Sequence, residues 1–378
     1  MQAKPKRIIL MYISEVSGHH SATLAIEKAI KILQPQAQVL NINTFNYTNP
    51  ISEKIVNRIY MGIIKRTPKI WEYLYDNPKI ARKVAKIKDA IHRVNAVKLK
   101  NLFDKFKPDV VACAQAFPCG MVADFKNIYN SNIGLVAVLT DYIPHSYWVY
   151  DSVDCYIAPS DEVAMRLIKK GVEKEKIRPF GIPFDPKFKQ GVDKTKVIQK
   201  LKLDVGVPTL LIMGGGQGIG PIKTIVTSLD KAGAQFQEIV VAGTNKKLYK
   251  SLKGKIRKQK RKIALLGYVD NIHELMDVSD VIITKPGGVT TAEALAKNLA
   301  MIIINPIPGQ EASNTAYLTS QKAAIKVDDP KQIKEVINDL FSNHIKLKRL
   351  REQAALLSKP NASFDIAKFL LAFPRHYV

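Results

Sequence analysis

The chain has 378 residues, of which 46% are hydrophobic, and its 58 Lys and Arg against 33 Asp and Glu give a formal net charge of +25. Such a length excludes a single domain of typical size and suits two, each able to bury its own core. The positive charge concentrates polyanions, so anionic lipid, nucleic acid and a phosphorylated substrate are all compatible partners.

The cysteines and the apolar segments exclude further classes of protein. Cys113, Cys119 and Cys155 are few, odd in number and without paired metal-ligand spacing, so we expect reduced core thiols and no zinc site. The first apolar stretch, Ile8–Ile13, is shorter than a signal-peptide core and is predicted to be a strand. No uninterrupted apolar stretch approaches the ~18 residues that span a bilayer, so we expect any membrane contact to be peripheral.

Short runs rich in Val and Ile alternate with helical stretches, as in parallel sheets buried on both faces. In the first half, strands are predicted at Arg7–Ser14, Gln38–Ile42, Val110–Ala114, Gly134–Thr140, Cys155–Ala158 and Ile177–Phe180. In the second half, they are predicted at Thr209–Met213, Glu238–Ala242, Lys262–Leu266, Val281–Thr284, Met301–Ile304 and Ala324–Val327. Two such series predict an α/β protein with two doubly wound, Rossmann-like domains, and the prolines of Gly181–Phe188 place the boundary between them.

A histidine follows the first predicted strand. His19 comes directly after Gly18, where the carboxyl edge of a parallel sheet binds ligands. An imidazole that titrates near neutrality can accept a proton from an attacking hydroxyl. A helix-capping or solvated histidine is the alternative explanation.

One long helical insertion, residues 52–106, interrupts the first predicted sheet. It interleaves basic residues with aromatic and aliphatic ones at helical spacing. Basic groups suit lipid phosphates and aromatic rings suit the headgroup layer, so Lys65, Arg66, Lys69 and Trp71 are predicted to bind the membrane. An ordinary amphipathic helix pair with a solvated basic face has the same pattern.

Polar and aromatic residues follow the strand predicted at Gly134–Thr140. Asp141 ends this strand and can orient a histidine or bind substrate hydroxyls, although a strand-end cap also explains it. His145, Tyr147 and Trp148 come next, in an aromatic loop that suits a substrate with apolar chains or that simply packs at a hinge.

The second half begins with an apolar strand, a glycine-rich loop from Gly214 to Gly220, and a helix. Glycines let backbone amides approach a phosphate, and the helix N-terminus adds oriented N–H donors, so this loop is predicted to bind a diphosphate. A tight strand-to-helix turn would use the same glycines. The spacing matches neither the dinucleotide fingerprint nor a Walker loop, which argues against hydride and phosphoryl transfer.

Two later segments carry polar groups at predicted helix starts. The turn Pro286–Gly288 leads into a helix predicted at Val289–Asn298, where the Glu293 carboxylate can accept two hydrogen bonds from a ribose diol or can serve as a helix-start acid. Further on, Gln310, Glu311 and Asn314 cluster amide and carboxylate groups, as the several hydroxyls of a sugar require.

Together these segments resemble a known family. LLIMGGGQGIG, LGYVDNIHELMDVSDVIITKPGGVTTAEAL and NPIPGQEASN, with VSGHHSATLAIEKAI in the first half, resemble the monogalactosyldiacylglycerol synthase and processive diacylglycerol glucosyltransferase group. The resemblance implies a GT-B fold with an N-terminal acceptor domain (1–183), a C-terminal UDP-sugar domain (184–357) and metal-independent transfer. We expect the helical tail, 358–378, to pack back on the N-terminal domain.

The resemblance also assigns residues. His19 takes the place of the catalytic-site histidine, Glu293 that of the ribose-binding acid, and Gln310 with Glu311 that of the sugar-contacting pair. Val16 and Ser17 stand where the family commonly has glycines, so His20 is the alternative to His19. We predict catalytic roles for His19 and Asp141, acceptor contacts for Gly18, His20, His145, Tyr147 and Trp148, and donor contacts for Gly215, Gly216, Gln217, Gly243, Thr244, Asn245, Tyr268, Val269, Lys285, Gly287, Gly288, Thr290, Thr291, Glu293, Gln310, Glu311 and Asn314.

The expected function is transfer of a hexose from a UDP-sugar to diacylglycerol at the cytoplasmic face of a membrane. Expected partners are UDP-hexose, diacylglycerol and anionic lipids, with no cofactor, no nucleic acid and no obligate protein partner. One alternative is transfer to a polyprenyl-linked acceptor of the peptidoglycan type. A nucleotide-sugar sensor or RNA-binding protein without catalytic activity would also be basic and carry glycine loops.

Overall fold

The computed structural model describes residues 4–48, 96–144, 146–257, 259–307 and 309–374. The chain divides into two compact units. The first comprises Met1–Pro186, Pro308–Gln310 and Asn361–Val378, and the second comprises Lys187–Ile307 and Glu311–Pro360.

The first unit is built on a six-stranded parallel sheet with the order β2-β1-β3-β4-β5-β6. Its strands are β1 (Arg7–Tyr12), β2 (Gln38–Asn43), β3 (Val110–Cys113), β4 (Gly134–Val138), β5 (Cys155–Ile157) and β6 (Ile177–Arg178). The first helices are α1 (Gly18–Leu33), α2 (Thr44–Thr48), α3 (Ala116–Tyr129) and α4 (Asp161–Lys169), and residues 96–106 are also helical.

The second unit has its own six-stranded parallel sheet, ordered β12-β11-β10-β7-β8-β9. Its strands are β7 (Thr209–Met213), β8 (Gln237–Val241), β9 (Ile263–Leu266), β10 (Val281–Thr284), β11 (Ala300–Ile304) and β12 (Ala324–Val327). The helices that follow along the chain are α5 (Lys194–Lys200), α6 (Ile222–Leu229), α7 (Lys246–Ile256), α8 (Ile272–Asp277), α9 (Gly288–Ala296), α10 (Gln310–Ser320), α11 (Ile333–Ser342) and α12 (His344–Leu357).

The last helix, α13 (Ala362–Ala372), belongs to the first unit. Ile366 and Leu370 are fully buried there, in one core with Ile26 and Ile30 of α1. The hydroxyl of Ser363 accepts a hydrogen bond from the Phe184 amide at 3.0 Å. Burial of each such aliphatic side chain stabilises the fold by roughly 1.5–3 kcal/mol relative to exposure, so α13 is a structural part of this unit.

Every predicted strand is present, with ends that differ by no more than two residues, and the α/β fold class is confirmed. The central strands are apolar throughout because helices cover both faces of each sheet. The three cysteines are buried and free, as predicted.

Each sheet has one point at which the strand order reverses. The chain passes from β1 outward to β2 and then resumes at β3 on the other side of β1. In the second sheet it passes from β7 through β8 to β9 and then resumes at β10 on the other side of β7. Ligands of doubly wound sheets bind at the carboxyl ends of the strands beside such a reversal.

Candidate active site

His19 lies at the reversal point of the first sheet. The loop after β1 leads into α1, whose N-cap Ser17 accepts a hydrogen bond from the His20 amide. This cap places His19 in the first turn of α1, half-buried beside the ends of the neighbouring strands. The local sequence therefore places the imidazole at the carboxyl edge of the first sheet, where ligands of such sheets bind.

The hydrogen bonds of His19 select one tautomer of the ring. Its Nδ1 lies 2.8 Å from the carbonyl oxygen of Ala114, after β3, and 2.9 Å from Oγ1 of Thr140, after β4. A carbonyl oxygen can only accept, so Nδ1 carries the proton in this contact. In the neutral ring Nε2 is then the acceptor, which is the state that a general base requires.

Opposing effects set the pKa of His19. Burial lowers the pKa below its ordinary value, while the negative charge of Asp141 and the hydrogen bond to Ala114 act in the opposite direction. The net shift is downward, so the ring is neutral and able to accept a proton at pH 7.

Asp141 forms a hydrogen bond with a second predicted site residue. Within the first unit, Nε2 of Gln310 donates to Oδ2 of Asp141 at 2.9 Å. Asp141 thus contacts a side chain predicted to bind the sugar and also acts electrostatically on His19.

The His20 ring has different side-chain contacts from the His19 ring. Its ring stacks on Tyr12 with centroids 4.2 Å apart, and its Nδ1 lies 2.8 Å from the carbonyl oxygen of Glu15. The Glu15 carboxylate lies 3.5 Å from the same nitrogen. His20 therefore packs against the loop after β1, whereas His19 contacts the ends of β3 and β4.

The predicted acceptor loop is only partly accessible. Trp148 is 3% exposed, so its ring belongs to the interior of the first unit. Burial raises the pKa of the Tyr147 hydroxyl. His145 lies outside the described residues, as do the predicted membrane residues Lys65, Arg66, Lys69 and Trp71. The acceptor and membrane roles of these residues stay predictions.

The glycine-rich loop interlocks with the loop after β8. Gly218 has φ of +57°, and a Cβ there would lie 2.0 Å from the Ala242 carbonyl oxygen. Gly243 has φ of +56°, and a Cβ there would lie 2.3 Å from the Gly216 carbonyl oxygen. Both positions therefore require glycine, for conformation and for space.

Hydrogen bonds complete this contact between the two loops. The amide of Thr244 donates to the Gly216 carbonyl oxygen at 2.9 Å, and Nδ2 of Asn245 donates to the Gly218 carbonyl oxygen at 3.3 Å. Within the glycine-rich loop, Gly216 and Gln217 are exposed and Gly215 is half-buried. The predicted donor residues of the loops after β7 and β8 thus lie together.

Tyr268 and Val269 follow β9 at the same edge of the sheet. A Cβ on Gly216 would lie 3.9 Å from Cε2 of Tyr268, so this ring borders the glycine-rich loop. The Tyr268 side chain is 68% exposed, which leaves it accessible to a ligand. Val269 is half-buried.

The turn after β10 leads into α9, as predicted. Gly287 is the N-cap, Gly288 begins the helix, and Thr290 is half-buried in the first turn. Glu293 lies in the second turn and is half-buried. A helix dipole acts mainly on groups in the first turn, so the helix-start explanation of Glu293 is weakened.

Two predicted donor residues of this region are buried. Thr291 is 0% exposed, and its hydroxyl is among the few buried side-chain groups of the described residues that have no hydrogen-bond partner. Asn314 is also 0% exposed, and its Nδ2 donates to the Pro286 carbonyl oxygen at 2.9 Å. Asn314 thus holds the Pro-Gly-Gly turn in place.

Glu311 has protein partners on both carboxylate oxygens. Nζ of Lys285 lies 2.8 Å from Oε1, and the Ile307 amide donates to Oε2 at 2.8 Å. A carboxylate can accept about four hydrogen bonds, so further positions stay open for sugar hydroxyls. The ion pair fixes the orientation of Glu311 at the carboxyl edge of the sheet.

Two groups at this site, the Ala114 carbonyl and the Thr140 hydroxyl, were absent from the sequence-based predictions. The Ala114 carbonyl orients the His19 ring, but a backbone group cannot be recognised from the residue type. Thr140 was detectable, since it is a polar residue that directly precedes Asp141 at a strand end.

Among the described residues, no group of His, Cys, Asp and Glu side chains is arranged to hold a metal ion. No helix in the described part of the chain is long and apolar enough to cross a bilayer.

Comparison with known proteins adds independent findings. Residues 19–184 match the family described as monogalactosyldiacylglycerol (MGDG) synthase, and residues 209–366 match the glycosyltransferase family 28 C-terminal domain. The chain is 30% identical over 362 residues to a processive diacylglycerol beta-glucosyltransferase of Bacillus licheniformis, covering 95% of this chain and 92% of the relative. It is 28% identical over 371 residues to the enzyme of that name from Bacillus subtilis, covering 97% and 95%. The fold resembles a solved structure of MnaA with UDP from S. aureus, with a TM-score of 0.64, 14% identity and coverage of 99% and 100%.

Proposed function

Because this chain belongs to the family of monogalactosyldiacylglycerol synthases and processive diacylglycerol glucosyltransferases, we propose that it transfers a hexose from a UDP-sugar to the hydroxyl of diacylglycerol. The fold is of the GT-B class and the activity is that of a hexosyltransferase. The observation that carries the chemistry is His19, a half-buried imidazole whose Nδ1 is committed to the Ala114 carbonyl and whose Nε2 is left as the acceptor.

In the proposed reaction, the hydroxyl oxygen of diacylglycerol attacks the anomeric carbon of the donor. The hydroxyl proton passes to Nε2 of His19, a new carbon–oxygen bond forms, and the bond from the anomeric carbon to the diphosphate oxygen breaks. UDP leaves with the electron pair of that bond. Asp141 stabilises the imidazolium that forms, since its negative charge raises the pKa of His19.

The donor half of the reaction is assigned to the second unit. Backbone amides of the glycine-rich loop and the N-termini of α6 and α9 supply hydrogen bonds and partial positive charge for the diphosphate, without a metal ion in the proposal. Glu293 accepts hydrogen bonds from the ribose, and Tyr268 borders the nucleotide. Lys285 and Glu311 present one fixed ion pair to the hexose.

We place the enzyme peripherally, at the cytoplasmic face of a membrane that contains its acceptor. The relatives named above support the membrane location, since their names describe action on diacylglycerol. The basic and aromatic insertion, 52–106, is the first candidate for lipid contact. Replacing Lys65, Arg66 and Lys69 with Gln should weaken binding to anionic vesicles by roughly 1 kcal/mol per charge while sparing UDP affinity.

The proposal is tested by incubating the protein with diacylglycerol-containing vesicles and a panel of UDP-sugars. The product is then identified by mass spectrometry and NMR, which also gives the hexose and the anomeric configuration. We expect a glycosyldiacylglycerol that is formed by the parent protein and strongly reduced with His19→Ala. Transfer to a polyprenyl-linked acceptor with none to diacylglycerol would overturn the assignment.

A further inference from the structure

The exposed side of α7 carries a row of cations that the proposed reaction does not use. Lys246, Lys250 and Lys253 are spaced at i, i+4 and i+7, and Arg257 follows at i+11 as the C-cap of the helix. With 3.6 residues per turn, this spacing puts the four side chains on one line, about 16 Å long. All four residues are exposed. We call them the basic row.

The opposite side of α7 holds the helix on the second unit. Leu252 is fully buried in the core of this unit, and Leu248 and Ile256 pack against the same core. The apolar residues of α7 are therefore used in folding, and the cations face solvent on a fixed support.

The charges of the basic row are not neutralised by neighbouring acids. The segment Lys246–Ile256 contains no acidic residue. Over the described residues, none of the ion pairs involves a member of the basic row, whereas Lys262, a few residues on, pairs with Asp204 at 2.6 Å. Like charges in a line without counterions raise the local potential and attract a polyanionic surface.

From this arrangement we propose that the basic row is a docking surface for the anionic headgroups of a lipid bilayer. The inference rests on the proposed function, because an enzyme that acts on diacylglycerol meets its acceptor at a bilayer. Lysines on flexible stems bind lipid phosphates as point charges and need no apolar insertion. The structure favours a bilayer over single-stranded nucleic acid, since single strands are bound with aromatic stacking platforms and α7 has one aromatic residue, the half-buried Tyr249.

The basic row is also joined directly to the predicted donor loop. Asn245, just before Lys246, accepts a hydrogen bond from the Leu248 amide at 2.9 Å and so caps α7. The same side chain donates to the Gly218 carbonyl oxygen at 3.3 Å. A bilayer bound along α7 therefore contacts an element that is fixed to the glycine-rich loop.

The test compares binding of the full chain to vesicles of phosphatidylcholine with and without phosphatidylglycerol, by co-sedimentation at low and at physiological salt. One variant combines K246Q, K250Q, K253Q and R257Q. The matched control combines K322Q, K331Q, K348Q and R349Q, which removes the same residue types from other exposed positions of the second unit. We expect the first variant to bind phosphatidylglycerol vesicles at least about tenfold more weakly and the control to bind nearly as the parent does.

Two further measurements separate this inference from the proposed function. Turnover of a short-chain diacylglycerol in neutral detergent micelles should be unchanged in both variants. If the parent shows no turnover in these micelles, the proposed function fails. The vesicle-binding result still shows whether the basic row is a docking surface. Equal loss of vesicle binding in both variants would show that only net charge matters and would overturn the inference. So would a preference of the parent for a single-stranded oligonucleotide over phosphatidylglycerol vesicles that is lost with the basic row.

Discussion

His19 and His20 are adjacent in the sequence, yet their surroundings differ in chemistry. His19 is oriented by Ala114 and Thr140, at the ends of two central strands, and it senses the charge of Asp141. His20 stacks on Tyr12 and faces Glu15. The difference arises because successive residues on a helix point about 100° apart, so only one of the two rings can turn toward the sheet edge.

We expect His19→Ala to lower kcat by about 10²–10⁴-fold, because general-base assistance contributes that range. UDP should bind nearly as before, because we assign its site to the second unit. His20→Ala is the matched control and should retain most of its activity. Steady-state kinetics at saturating donor, with calorimetry of UDP binding, checks both variants; the base is misassigned if His20→Ala proves the more damaging change.

The pH profile tests the electrostatics of the same residue. Only the neutral ring accepts a proton, so kcat/KM should rise with pH through the pKa of His19 and then level off. Burial lowers that pKa, so the rise should lie below the ordinary imidazole value of 6.5. Asp141→Asn removes a charge that raises this pKa, and the rise should move to still lower pH. If the pH at which kcat/KM rises is unchanged or higher in Asp141→Asn, the electrostatic interaction of Asp141 with His19 is contradicted.

Glu293 provides a donor-side test. Replacing it with Gln should weaken UDP binding by about 1–3 kcal/mol, the range for losing hydrogen bonds to a charged group. Glu335 is the control, because it is a first-turn acid on α11 of the same unit. Calorimetry with UDP measures both variants, and equal affinity of Glu293→Gln and the parent would refute the ribose assignment.

At the scale of elements, two βα loops of the second unit hold each other in place. Backbone contacts join the glycine-rich loop after β7 to the loop after β8. The side chain of Asn245 connects the glycine-rich loop to α7. No single glycine accounts for this arrangement. The loops can approach because glycines occur in both segments at the points of contact.

Gly218→Ala should therefore disrupt the glycine-rich loop without unfolding the second unit. The new Cβ would lie 2.0 Å from the Ala242 carbonyl oxygen, on a backbone with φ of +57°. Strain of about 1–3 kcal/mol would be relieved by displacement of the loop, and UDP affinity should fall by at least about tenfold. Gly233→Ala is the control, since a Cβ there meets nothing within 4 Å. Circular dichroism and UDP calorimetry distinguish loop damage from unfolding; undiminished UDP binding by Gly218→Ala would exclude the loop as the diphosphate site.

At the scale of the whole molecule, α13 belongs to the first unit although the second unit lies between them in sequence. Helix α13 packs on α1 within the first core, although it follows all of the second unit in sequence. The first unit therefore completes its core only after the second unit has been synthesised.

Ile366→Ala tests this dependence. The side chain is fully buried, so its loss should lower the free energy of unfolding of the first unit by about 2–5 kcal/mol. Lys368→Ala, at an exposed position of the same helix, should have little effect. Trp148 is buried in the first unit, so its fluorescence on denaturation reports on that unit, and calorimetry with UDP reports on the donor site that we assign to the second. An unchanged denaturation midpoint for Ile366→Ala would show that α13 does not stabilise the first unit.

The strands, both sheets and the glycine-rich turn were predictable from the sequence, because periodicity and turn chemistry are local properties of the chain. For His19 and Glu293 the residue pattern left two explanations each, and the family resemblance favoured the functional one. The contacts of those residues were not predictable, since the Ala114 carbonyl reaches His19 across 95 positions of sequence. Similarly, the sequence predicts Asn314 as a sugar ligand, and its hydrogen bond to the Pro286 carbonyl is a further contact that only the structure shows. Sequence patterns determined which elements form, whereas the order of strands in each sheet decided which distant side chains and carbonyls meet, because hydrogen bonding and burial depend on distance in space.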